Sequence, residues 1–140
     1  MEMEQLKKAL RAQIEEYKTL AFELSDQMAR EPEIGSQEYK SSAAIVKLLR
    51  DHGIEVEYPF AGYRTAFRGQ ICPERKVRMA LLAEYDALRG LGHACGHCAS
   101  GSGSVLAALA FQAFRDEYSF GVDIIGTPDE EYIGTKIGMA

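Results

Sequence analysis

Residues 77–84, Val-Arg-Met-Ala-Leu-Leu-Ala-Glu, constrain this chain more than any other stretch. An apolar run over 79–83 stops abruptly at two carboxylates, Glu84 and Asp86. A short continuous apolar run bounded by turn residues reads as a buried strand. Gly90 and Gly92 then open a loop that delivers His93, Cys95 and His97. A second apolar run, 122–125, empties in the same way into Asp129, Glu130 and Glu131. Open α/β sheets place ligands beyond the carboxyl ends of their strands, so two strands ending in such groups aim at one place.

The rest of the chain supplies the layers such strands need. Leu6, Leu10, Ile14, Tyr17, Leu20, Leu24 and Met28 recur at three- and four-residue steps, which predicts an amphipathic helix over 3–29, broken by Glu31-Pro32. Ser36 is placed to cap a second helix carrying Tyr39, Ala43, Val46 and Leu49 on one side, with Gly53 just past its end. His52 in the last turn of that helix suits the negative helix end better than a metal. Strands are expected over 54–58 and 65–71, with 77–84 as the central strand, buried on both faces. Cys72 reads as structural only. The small residues of 99–104 suit a helix start pressed against neighbouring backbone, and Val105, Leu106, Leu109, Ala110, Ala113 and Phe114 continue it, so a helix is predicted over 100–116. A further strand covers 122–126, and another element begins at 133–140. The order helix, helix, three strands, helix, strand is a layered α/β arrangement.

Composition narrows the function. At 140 residues the chain suffices for one domain with a real core, and 46% apolar with 26% charged residues are values of a soluble globular protein. A net charge of −5 without a basic run argues against nucleic acid as a partner. No apolar run approaches a membrane span, and the N-terminus lacks the form of a signal peptide, so no membrane is expected and a cytoplasmic location is. Three cysteines, an odd number, fit free thiols or metal ligands better than a disulfide framework.

The loop carries the chemistry. Cys95 and His97 alternate with small residues, so one turn can point both at one centre, and thiolate with imidazole suits a borderline ion such as Zn²⁺. That spacing alone is weak. Glu130 and Glu131 strengthen it, because one carboxylate can hold a metal while its neighbour takes a proton from water. The plain alternative for two adjacent glutamates is a solvated surface pair.

Three segments together, Ala83-Glu84-Tyr85-Asp86-Ala87-Leu88, Gly90-Leu91-Gly92-His93-Ala94-Cys95-Gly96-His97 and Gly126-Thr127-Pro128-Asp129-Glu130-Glu131, resemble in order and spacing the first half of the catalytic domain of the M20 metallopeptidases. The nearest branch is similar to amidohydrolases that include N-acyl-amino-acid hydrolases, aminobenzoyl-glutamate hydrolases and aminoacylase-1-like dipeptidases. The resemblance implies a truncated, zinc-exopeptidase-like, three-layer α/β/α fold with a mixed central sheet. It implies that Cys95, His97 and Glu131 are metal ligands, that Glu130 is the general base, and that Asp86 orients a ligand from behind. It further implies two divalent ions, Zn²⁺ or Mn²⁺, in the full-length enzyme, and a small-molecule amide or dipeptide as substrate. Glu84, His93 and Lys136 follow the pattern without an assigned role. Cys98 stands where the family usually has Asp or Asn, and Arg89 where it often has Pro. The family also carries two further histidine ligands and a lid or dimerisation domain. Residues 1–140 are therefore expected to be the N-terminal portion of a catalytic domain, inactive alone and forming homo-oligomers through uncovered apolar surface.

Two other readings stay open at this point. Cys95-Gly96-His97-Cys98 is a C-x-x-C and resembles the redox dithiol of the protein disulfide isomerases, although that reading leaves Asp86, Glu130 and Glu131 without a task. The third reading is a non-catalytic metal-binding or oligomerising module.

Overall fold

The long amphipathic pattern becomes a single helix, α1 (Met3–Arg30), in a computed structural model that describes residues 1–140. Leu6, Ala21, Leu24 and Met28 form its buried stripe. Full burial of a Leu or Met side chain contributes about 1.5–3 kcal/mol, so this stripe, not helix propensity, holds α1 in place. Helix α2 (Tyr39–Asp51) follows, with Ile45, Val46 and Leu49 buried. His52 closes it, its Nδ1 2.9 Å from the Leu48 carbonyl and its ring edge-on to Tyr17, and Gly53 turns left-handed at φ 78°.

Ser36 does not cap α2. The Glu33 carboxylate takes that task, accepting from the Lys40 amide at 3.0 Å and the Ser41 amide at 2.7 Å. Ser36 sits at φ 63° and donates its hydroxyl to Asp129 Oδ2 at 2.6 Å, across 93 positions of sequence. A small polar residue before a helix is an N-cap by local rule, and here the long-range bond won.

Four strands form one mixed sheet: β1 (Glu55–Glu57), β2 (Phe67–Ile71), β3 (Arg78–Ala83) and β4 (Gly121–Gly126), in the order β1-β2-β4-β3. β4 runs antiparallel to β2 and parallel to β3, and α3 (His97–Ala113) makes the crossover between β3 and β4. The short helix α4 (Lys136–Met139) ends the chain. The expectation that 77–84 is central is corrected: β2 and β4 are the inner strands and β3 lies at the edge. Met79, Leu81 and Ala83 turn to the core, whereas Ala80 is exposed and Leu82 is 47% exposed on the other face. An apolar run reports the absence of polar residues, not how many faces are covered.

Core residues of α1, α2 and α3 pack with Phe67, Ile71, Val122 and Ile124 in one cluster, so these helices share one face of the sheet. The opposite face carries Arg68, Gln70, Arg78 and Asp123. Asp123 receives Arg78 Nη2 at 2.6 Å, Arg78 Nε at 3.0 Å and Arg68 Nη2 at 3.2 Å. Burial pushes the Asp123 carboxyl up, but bonds from Arg78 and Arg68, with their charges, outweigh it and hold the group below the usual carboxylate range. A lowered folded-state value stabilises the fold above about pH 4, where the unfolded carboxyl is ionised, and that stability is lost as pH falls through the folded value. Asp123→Asn should therefore cost about 2 kcal/mol at neutral pH and flatten the acid limb of stability. Urea midpoints measured from pH 7 down to pH 3 check both.

Candidate metal centre

The two parallel strands end level, with Ala83 paired to Gly126, so their continuations leave the sheet side by side. Thr127 stays tied to β3 through its amide and the Ala83 carbonyl at 2.9 Å. After β3 the chain runs past Glu84, Tyr85 and Asp86, turns at Gly96 (φ 85°) and enters α3 with His97 as first residue. Gly101 lets α3 press against the strand end: a β-carbon there would lie 2.2 Å from the Glu84 carbonyl oxygen.

Fully buried Asp86 ties the pieces together. Its Oδ1 lies 2.8 Å from His97 Nδ1, its Oδ2 accepts the Glu131 amide at 3.0 Å, and its carbonyl accepts the Cys95 thiol at 3.5 Å. With Nδ1 turned to Asp86, Nε2 of His97 is left facing the other way. Three carboxylates converge on that nitrogen: Glu84 at 3.1 Å, Glu130 at 3.6 Å and Glu131 at 3.7 Å. Lys136 alone among the lysines and arginines forms an ion pair with them, on Glu84 Oε1. One ammonium against three carboxylates leaves an excess of negative charge that a divalent cation would offset.

The donor set fits such an ion. Ligand atoms of Cys95, His97 and Glu131 lie within 4.8 Å of one another, as do those of Glu84, His97 and Glu130. Around a tetrahedral ion with bonds of about 2.0–2.3 Å, donors stand roughly 3.3–3.8 Å apart, so small rotations suffice. Both trios draw on the imidazole of His97. Burial pushes the Cys95 thiol up, and Glu131 and Asp86 add to this against a lowering bond from the His97 backbone. A coordinated cation reverses that balance.

The structure brings together every residue singled out for the site, Asp86, Cys95, His97, Glu130 and Glu131. Glu84 and Lys136, unassigned from sequence, join them. Their signal was position: Glu84 directly follows the last residue of β3. His93 stands apart, both ring nitrogens enclosed without a hydrogen-bond partner, and burial followed by the charge of His97 holds its pKa below the usual value. Cys72, Cys95 and Cys98 are all free thiols.

A mixed sheet whose parallel strands open onto a thiol, an imidazole and clustered carboxylates defines a mixed α/β domain with a candidate metal centre at its strand ends. No family model matches the chain, but individual proteins do. It is 31% identical over a 151-residue alignment to the mouse Xaa-Arg dipeptidase, covering 99% of the chain and 35% of that protein. It is 30% identical over 128 residues to one of the subunits of the p-aminobenzoyl-glutamate hydrolase of Escherichia coli K12, covering 78% of the chain and 26% of that protein. In fold it matches a Staphylococcus aureus protein provisionally termed an aminohydrolase, with TM-score 0.82, 22% identity and coverage of 94% of this chain and 38% of that one. It also matches a dinuclear metal-binding peptidase of the M20 family from Bacillus subtilis, with TM-score 0.74, 22% identity, and coverage of 81% and 36%. The chain belongs to the M20 metallopeptidases and amidohydrolases. It spans about a third of the length of the relatives it matches. No helix is long and apolar enough to cross a membrane.

Proposed function

We propose that residues 1–140 are the N-terminal portion of the catalytic domain of a metal-dependent amide hydrolase, acting on N-acyl amino acids, dipeptides or aminobenzoyl-glutamate-like substrates. One observation carries this: Asp86 locks one nitrogen of His97 while Glu84, Glu130 and Glu131 crowd the other. In this reading Cys95, His97 and Glu131 hold a Zn²⁺ or Mn²⁺ ion and contribute to a two-ion centre. A bound ion of this kind polarises an amide carbonyl and lowers the pKa of water toward neutrality.

The chain's own side chains divide the remaining work. Asp86 fixes the tautomer and orientation of His97 and, through the Glu131 amide, the place of that carboxylate. Glu130 is 36% exposed at its side chain, open to water from outside the cluster, and serves as the base that takes the proton. Lys136 restrains Glu84 at the rim. The sheet face bearing Ala80 and Leu82, and the free edge of β3, are where the remainder of such a domain packs. A redox role for Cys95 and Cys98 is not favoured, because the acidic, buried surroundings raise the Cys95 thiol, opposite to what a dithiol nucleophile needs.

Equilibrium dialysis against Zn²⁺ or Mn²⁺ followed by metal analysis tests the reading. The chain should retain ion, and Glu130→Gln should retain it equally. In the longer protein Glu130→Gln should lower turnover of an N-acyl amino acid by a factor on the order of 100 or more, the scale of a lost general base. A chain that retains neither ion rejects the proposal.

A further inference from the structure

We propose that Glu38 is a positioning residue of this site: its buried carboxylate holds the turn at Asp129 and so aims Glu130 and Glu131 at His97. The inference rests on the reading of the cluster as a metal centre.

Glu38 is fully buried and lies immediately before α2, in phase with the buried Ser42, Ile45 and Leu49 of that helix. It forms no ion pair with a lysine or arginine, and an unpaired carboxylate is costly to bury. An apolar residue would fill that stripe at lower cost, so the carboxylate must answer a polar demand. The demand is visible. Its Oε1 accepts the Asp129 amide at 2.8 Å, and its Oε2 accepts the Thr65 hydroxyl at 3.0 Å. Thr65 is in turn fixed from the other side, its carbonyl accepting the hydroxyl of buried Tyr85 at 2.5 Å.

The turn it holds needs holding. Asp129 is 2% exposed and left-handed, at φ 54°, a conformation uncommon for non-glycine residues although Asp adopts it more readily than most. Its Oδ2 is taken by Ser36 and its Oδ1 by the Ile133 amide at 3.3 Å. Gly35 packs so closely that a β-carbon there would stand 2.1 Å from Asp129 Oδ1. The segment between α1 and α2 thus clasps Asp129, and Glu38 supplies the acceptor for its main chain. The next two residues are Glu130 and Glu131, with the Glu131 amide bound to Asp86. Rotation of the Asp129 peptide would swing both carboxylates away from the imidazole.

Two substitutions separate reach from charge. Glu38→Gln keeps an oxygen at the same length, while Glu38→Asp keeps the charge and withdraws it by one methylene. Co²⁺ titration of the whole chain, read from thiolate-to-metal absorption, should give Glu38→Gln an affinity close to the unsubstituted chain and Glu38→Asp an affinity about tenfold lower, the scale of a lost supporting bond. Amide exchange at Asp129 should be slow in the first and fast in the second, with or without metal. Equal Co²⁺ affinities, the reverse order, or loss of the fold in either variant would overturn the proposal. Absence of Co²⁺ absorption from the unsubstituted chain would instead reject the metal centre, and exchange at Asp129 would still decide whether Glu38 is the clamp.

Discussion

Replacing His97 with alanine should remove divalent-ion binding from the chain, weakening Zn²⁺ or Co²⁺ by more than about 100-fold, beyond the roughly 10- to 100-fold that follows loss of an outer partner. His97 is the residue shared by both possible donor trios, so its loss leaves each trio with two donors. Asp86→Asn gives the graded companion. The amide oxygen still accepts one bond, but the negative charge that orients the imidazole is gone, and affinity should fall by roughly 10- to 100-fold. His52→Ala is the control, since that ring ends α2 and touches Tyr17. Isothermal titration with Zn²⁺ measures all three. Equal affinity for His97→Ala and the unsubstituted chain would place any ion elsewhere.

Gly101→Ala should be the most damaging single methyl in the molecule. The added carbon meets the Glu84 main-chain oxygen at 2.2 Å, and main chain, unlike the end of a flexible side chain, yields only by moving a whole element. Overpacking of this kind costs typically about 1–3 kcal/mol, and a clash with backbone belongs at or above the upper end. The displaced atom belongs to Glu84, so ion binding should weaken together with stability. Gly103→Ala, two residues on in the same helix, meets nothing within 4 Å and should be neutral or stabilising by about 0.5–1 kcal/mol through helix propensity. Urea denaturation of the pair checks the contrast. Similar midpoints would show that α3 does not sit tightly on the end of β3.

These two experiments mark what a linear reading of the chain reaches. The apolar run before Glu84 and the small residues of 99–104 announced a strand end with a helix pressed against it, because burial and close approach leave direct traces in residue type. The convergence of Cys95, His97, Glu130 and Glu131 followed from strand ends facing one way. Sheet order left no such trace: an edge strand with one apolar face against the core and small apolar residues on the other spells the same letters as an inner strand. Ser36 misled because the local rule for a helix cap knows nothing of Asp129. Glu38 stands in phase with Ser42, Ile45 and Leu49; that periodicity shows a polar group facing inward without naming what it binds.

One consequence concerns motion. His97 is at once a member of the acidic cluster and the opening residue of α3, whose far end stands at Ala113. Each residue of an α-helix advances about 1.5 Å along its axis, so sliding this rod by a single step would alter the 2.8 Å contact between the imidazole and Asp86. Anything that grips the distal half of the rod, a neighbouring domain or another copy of the protein, therefore holds a lever on the ring.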